Sequence, residues 1–415
     1  MNNTKRVRLA CYSTNVLMAV VGNLSPILFL TFKTVYNVSY ALLGALVLIN
    51  FITQLTVDLI FSFFSHKINM AKAVKITPVI GFIGLLVYSL GPLFHSSGAF
   101  LWIILGTVIF SASSGFAEVL ISPVIAALPS ENPERDMSKL HSIYAWGSVG
   151  VVLLGTLFLL AFGAERWYLL GLIFSIIPII GSLLFFKAEI PKMETPEKIS
   201  GTLELIKKPQ LWICFAAMFL GGASEVSMAQ WSSGYIETAL GISKIYGDIF
   251  GVALFSGMLA LGRTLYAKHG KSIEKVLLLG AVGAAACYII ATVTSISVVG
   301  LLACGITGIC VSMLWPGTLV VSSKRITEGG VFVYAMMAAG GDMGAAIAPQ
   351  LIGIACDVAE QSGFALSLAE SLGISVEGAA MKIGLAIGSL FPILAIAAYI
   401  YIFKSRHIFD KPGIE

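Results

Sequence analysis

Gly115-Phe-Ala-Glu118-Val-Leu-Ile-Ser-Pro123-Val-Ile-Ala-Ala-Leu128-Pro-Ser-Glu131 opens the stretch that decides the fold, which continues to Gly150. A single acid, Glu118, lies inside an otherwise apolar run from Leu101 to Leu128. A charged loop from Ser130 to Lys139 follows, and Leu140-His141 opens a second apolar run. A carboxylate among so many apolar residues is costly wherever hydrocarbon replaces water, so such a residue faces a cavity or a partner. Pro123 lacks an amide proton and loosens the helix beside the acid. A neutral Glu118 satisfied by a neighbouring helix would be a structural feature. A protonatable residue at a solute site is the functional reading.

The same frame recurs later. Gly115 and Pro123 are matched in spacing by Gly308 and Pro316, and Gly147 lies as far beyond Pro123 as Gly340 lies beyond Pro316. The repeating unit is about half the chain, which suits the duplicated halves of a secondary transporter with its site between them near the bilayer midplane. Val311 takes the place of Glu118, so the frame is duplicated and the acid is not.

Composition agrees. Apolar residues make up 57% of the chain and charged residues 12%, with a mean hydropathy of +0.92. A soluble domain carries about a quarter charged residues. The net charge of +4 is small, and no basic run suits nucleic acid. Cys11, Cys214, Cys287, Cys304, Cys310 and Cys356 fall in or beside apolar runs without metal-type spacing, and read as small packing residues. Lys5, Arg6 and Arg8 precede a first run without a cleavage site, so this run is read as a retained helix.

Apolar runs of about twenty residues are transmembrane candidates. In order they are Leu9–Phe32, Tyr40–Ser65, Ala73–Phe94, Ala99–Leu128, Ser138–Gly163 and Trp167–Phe186, then Leu211–Leu240, Ile245–Lys268, Ile273–Thr294, Ser297–Ser323, Val331–Asp357 and Gly378–Phe403. The expected protein is therefore all-α, a polytopic membrane protein of twelve transmembrane helices. Residues 1–186 form an N-terminal six-helix bundle, 187–210 a cytoplasmic linker and 211–415 a C-terminal six-helix bundle. The linker holds Pro191, Pro196, Pro209 and five lysines, with a short helix expected near Thr202–Lys207.

Basic residues set the orientation. Lys67, Lys72 and Lys75, then Arg135 and Lys139, the linker lysines, Lys268, Lys271 and Lys275, and Lys324 with Arg325 share one side. Lys404, Arg406 and Lys411 join them, so both termini are expected in the cytoplasm of a cell membrane protein. The opposite loops hold only Lys33, Arg166 and Lys244, and the longest, Val358 to Glu377, carries acids alone.

Polar residues at membrane depth are the site candidates. They are Asn23, then Asn50, Gln54 and Asp58 in span 2, Glu118 in span 4, Glu225 in span 7 and Asp342 in span 11. Glu225 follows Gly221-Gly222 and precedes Gln230, Trp231 and Tyr235, and the glycine pair allows bending or close approach. Helix geometry sets Glu225 and Trp231 well apart around the axis. Asp342 follows Gly340-Gly341 and precedes Gly344 and Pro349, a pattern of a loosened helix. Asp58 and His141, near the cytoplasmic ends of their spans, suit gating as well as solute contact. Tyr144, Trp146, Trp231, Tyr235 and Trp315 offer flat rings with a polar edge, which suit the faces of a sugar. No phosphate-binding Gly-x-x-x-x-Gly-Lys loop, zinc-protease or serine-hydrolase motif, or pore signature is present, so a secondary transporter is expected and not an enzyme or channel. No cofactor or metal is called for.

These residues together resemble the major facilitator superfamily over nearly the whole chain. Its loop signature between spans 2 and 3 is degenerate here, with Ser62, His66, Lys67 and Asn69 in the usual places, while Gly262-Arg263 is kept near the end of span 8. Within the superfamily, Gly115-Phe-Ala-Glu118 with Pro123, Leu140-His141 before Gly147, the Gly-Ala-Ser-Glu of span 7 and Ser312-Met-Leu-Trp-Pro316 are similar to the fucose permease (fucose–galactose–glucose:proton symporter) group. The resemblance implies two pseudo-symmetric bundles, with spans 1, 4, 7 and 10 lining a central cavity. It implies alternating-access symport of a small polar solute, a sugar or related polyol, with protons (sodium being the other candidate ion), by a monomer. Glu118 matches the group's proton-coupling acid, with Asp342 as a second candidate. Asn23, Gln54, Glu118, Tyr144, Trp146, Glu225, Gln230, Trp231, Tyr235 and Trp315 are the expected solute contacts, and Asp58, His141 and Arg263 the expected gate. The span 1 aspartate of the fucose permease is absent, because Asn23-Leu-Ser25 is followed by Pro26. The alternatives are proton-antiport efflux of a drug or metabolite, and a membrane sensor or scaffold that does not transport.

Overall fold

A computed structural model of the chain describes residues 2–36, 40–94, 98–193, 199–242, 251 and 253–406. Among them the regular structure is helical throughout. The first unit contains α1 (Asn3–Tyr36), α2 (Tyr40–Phe64), α3 (Met70–Phe94), α4 (Ala99–Ala126), α5 (Pro133–Phe162), α6 (Trp167–Phe174) and α7 (Ile176–Phe186). After α8 (Ile199–Ile206) come α9 (Pro209–Thr238), α10 (Leu254–His269), α11 (Ile273–Val293), α12 (Ser297–Val311), α13 (Leu314–Arg325) and α14 (Gly330–Glu360). The chain ends with α15 (Gly363–Leu372), α16 (Val376–Gly388) and α17 (Leu390–Lys404).

Eleven segments among the described residues are long and apolar enough to cross a membrane. The twelfth expected span, the eighth in order, is represented by α10 alone, because residues 245–250 and 252 lie outside the described residues, as do Lys244, Pro196, Lys198 and Lys411. Spans 6, 10 and 12 are each built of two helices, broken at Ser175, at Ser312-Met313 and at Ser389. The helix expected in the linker is α8, and the acidic loop after α14 carries the unexpected α15.

Two compact units emerge from the packing. One is Met1–Leu205 with Glu328–Ala339, and the other is Ile206–Thr327 with Gly340–Glu415. The division falls at Leu205, inside the stretch read as the linker.

Local chemistry sets the helix ends. Asn132 accepts a hydrogen bond from the Arg135 amide at 3.0 Å, Pro133 takes the first helical position, and Glu134 and Asp136 complement the dipole of α5. Ser362 and Ser375 cap α15 and α16 in the same way, through the amides of Ala365 and Gly378. Gly373 ends α15 with φ of 64°, a conformation that a side chain would strain.

Small residues set the helix crossings, as expected where lipid removes the hydrophobic drive between helices. A Cβ added at Gly106 of α4 would lie 2.5 Å from Tyr88 of α3. The duplicated frame now gains a structural meaning. Gly115 seats span 4 on Gln54 and Val57 of span 2, and Gly308 seats span 10 on Phe255 and Leu259 of span 8. Gly147 lets span 5 meet Val16 and Ala19 of span 1, and Gly340 lets span 11 meet Phe215 of span 7. Each matched glycine makes the matched contact inside its own unit. The two halves diverge at the prolines. Pro123 sits within an unbroken α4, whereas Pro316 follows a break between α12 and α13.

The first unit buries an aromatic cluster. Trp167 meets Phe32 edge-on with centroids 4.9 Å apart, and Tyr88 with centroids 5.7 Å apart. The Tyr88 hydroxyl is satisfied by Ser25 at 3.0 Å.

Candidate functional site

In the first unit the candidates gather on α1, α2, α4 and α5. Asn50, Gln54 and Asp58 recur every four residues on α2 and so share one face. That face meets α4, because Ser111 donates to Asn50 Oδ1 at 2.6 Å and Gly115 packs on Gln54 and Val57. Gln54 and Asp58 are buried, and Glu118, less than one turn beyond Gly115, is half-buried. The Tyr144 hydroxyl of α5 lies against Gly22 of α1, next to Asn23. Asn23 donates to the Ala19 carbonyl at 2.8 Å. His141 is half-buried, and the carbonyl of its neighbour Leu140 accepts from the Asn15 amide at 2.6 Å. Trp146 is exposed.

The second unit is organised by glycine. A Cβ added at Gly222 of α9 would lie 2.6 Å from the Gly341 carbonyl oxygen of α14, and one at Gly344 would lie 2.0 Å from that of Phe219. The glycine pairs of both spans therefore mark a crossing of backbone on backbone. The Trp315 ring of α13 covers Gly341, beside the buried Asp342. Pro349 does not break α14, and its carbonyl accepts from the Trp231 indole at 3.0 Å.

Glu225 lies one turn past this crossing. Arg263 of α10 directs Nη2 to both of its carboxylate oxygens, 3.0 Å from each, and donates from Nε to the Ser312 carbonyl at 2.9 Å. The two side chains are 14% and 2% exposed. The break between α12 and α13 explains the third partner, since α-helical pairing ceases at Ser312 and its carbonyl is open to Arg263. The two residues, one expected at the solute site and the other at a gate, are thus a single feature.

Two expected contacts are placed elsewhere. Gln230 is exposed, and Tyr235 is fully buried with its hydroxyl on the Ala291 carbonyl. Lys382 was not anticipated. It is 2% exposed in α16, and its ammonium donates to the carbonyls of Thr292 and Thr294 at the end of α11, 5.7 Å from the Tyr235 ring centre. Its signal was legible, being a lone lysine in an apolar run.

The profile of the Major Facilitator Superfamily matches residues 10–349. No curated sequence matches. Similar solved structures include the E. coli fucose:proton symporter FucP, with 15% identity over 97% of this chain and 99% of that one and a TM-score of 0.74. The proton:xylose symporter XylE, bound to 6-bromo-6-deoxy-D-glucose, has 12% identity over 98% and 99% of the two chains and a TM-score of 0.72. An outward-facing bacterial homologue of the iron transporter ferroportin has 13% identity over 98% and 100% and a TM-score of 0.74. Such low identities speak for the fold alone. Together with the matched profile and the apolar helices, they identify a multi-pass membrane transporter, and the chain belongs to the major facilitator superfamily.

Proposed function

We propose that this transporter moves a small polar solute, a sugar or related polyol, in symport with protons by alternating access. It works as a monomer in the cell membrane, with both termini and residues 187–210 in the cytoplasm. The observation that carries the reading is the place of one membrane glutamate. Glu118 is half-buried in the first unit, less than one turn beyond Gly115, which packs α4 on the face of α2 that carries Gln54 and Asp58. A protonated Glu118 donates a hydrogen bond to a solute hydroxyl, and the ionised form only accepts. Proton and solute occupancy become coupled in this way, and linkage makes that coupling reciprocal. Asn23, Gln54, Tyr144, Trp231 and Trp315 are the proposed solute contacts, with Asp342 as a second protonatable group and Asp58 and His141 at the gate. Two of the similar structures belong to proton symporters of sugars, which supports the solute class.

The test is radiolabelled uptake into proteoliposomes with fucose, xylose, glucose and a polyol panel. An imposed inward proton gradient should drive accumulation of at least one of them and acidify the lumen in step. Accumulation that answers to sodium, or none with any member of the panel, would reject the reading.

A further inference from the structure

The second unit turns two thiols toward one groove that the transport reading does not use. α11 and α12 approach at backbone distance where Gly280 and Gly283 open a groove. A Cβ added at Gly280 would lie 2.4 Å from the Cys310 carbonyl oxygen, and one at Gly283 would lie 2.7 Å from the Cys310 sulfur. The Cys310 side chain therefore lies in that groove. Cys287 follows Gly283 by four residues, one turn farther on the same face. Cys287 thus faces the groove that holds the Cys310 sulfur, and Thr307 lies one turn before Cys310 on α12. Cys287 is buried and Cys310 half-buried. Around them Val282 and Ile289 of α11 and Leu302 and Ile306 of α12 present exposed apolar side chains.

We propose that Cys287 and Cys310 form a two-coordinate site for a soft, thiophilic metal ion. Thiolates select soft ions, and two thiols facing one groove from adjoining helices suit a linear sulfur–metal–sulfur unit, with each bond about 2.3 Å. Among the described residues no group of three His, Cys, Asp or Glu side chains is placed to hold a metal. The site thus offers two donors and no tetrahedral set. The apolar walls disfavour hard hydrated cations and admit soft ions as neutral complexes. Binding forms two metal–sulfur bonds and releases one proton from each thiol, with no electron transferred.

The probe is one equivalent of mercuric chloride added to the reduced, purified full-length protein in detergent. Excess glutathione is present, so that a lone thiol loses its ion. Intact-mass spectrometry then counts retained mercury, and proteolysis locates it. The expected result is one mercury ion on the wild type, bridging the peptides that carry Cys287 and Cys310. Retention should fall at least tenfold in C287S and in C310S, and stay unchanged in C214S and C356S. Mercury bridging any other pair in the wild type, or lost with C304S, would overturn the site. So would equal retention by the wild type and C287S. The wild-type map stands even where a variant fails to fold.

Discussion

Arg263 places Nη2 3.0 Å from each carboxylate oxygen of Glu225, while its Nε is anchored on the Ser312 carbonyl. The geometry ties α9, α10 and the α12–α13 break into one knot. Removing one partner leaves a charge in a buried site. Glu225→Gln and Arg263→Met should each destabilise the protein by about 3–5 kcal/mol. The double variant should recover part of the loss, with a coupling of about 1–3 kcal/mol. Thermal unfolding in detergent checks this, and additive losses would show that the pair does not act as a unit.

Glu118 gives the functional counterpart. Glu118→Gln keeps the shape and mimics the protonated state, so solute exchange should persist while uphill accumulation is lost. Counterflow and gradient-driven uptake, measured in the same vesicles with the solute identified above, separate these steps. Wild-type accumulation by Glu118→Gln would transfer the coupling role to Asp342.

The glycine crossings give opposite expectations at two sites. At Gly222 an added methyl meets backbone, so Gly222→Ala should cost about 1–3 kcal/mol. Gly257 of α10 has nothing within 4 Å of the new methyl, and Gly257→Ala should be neutral or stabilise by up to about 1 kcal/mol. The order of melting temperatures among wild type and the two variants decides it.

Lys382 caps α11 from another helix. Lys382→Met keeps the stem and removes the donors to Thr292 and Thr294, so the loss should be about 1–3 kcal/mol. By contrast Arg8 and Asp136, 2.9 Å apart and partly exposed, should matter little, and Arg8→Ala should change stability by no more than about 1 kcal/mol. Denaturation of both variants under one condition gives the comparison.

Orientation follows from the basic loops and is open to a direct check. A single cysteine at Lys192 on a cysteine-free background should label with an impermeant maleimide only after the cells are broken. Labelling of intact cells would invert the proposed topology.

Much of the frame was legible because periodicity and spacing are properties of a line. The spacing of Gly115, Gly147, Gly308 and Gly340 announced the duplication, and the structure packs each matched pair on the corresponding span of its own unit. The Glu225–Arg263 pair was not legible. The two residues are 38 positions apart, and which face of α10 turns toward α9 depends on the crossing and not on the spacing. Tyr235 misled for the opposite reason. Its polar edge suggested a solute, but a fully buried hydroxyl needs a partner and finds the Ala291 carbonyl. The Cys287–Cys310 pair likewise joins positions whose link is the groove cut by Gly280 and Gly283.

The crossing of α9 and α14 has a mechanical consequence. Between Gly222 and Gly341 no side chain intervenes, so no rotamer change can absorb a shift of one helix against the other. The two behave as meshed rods, handing a displacement near Glu225 on to Asp342 without slack. Any bending during turnover must then fall beyond residues 219–223 and 340–344, where side chains again separate the helices and give way.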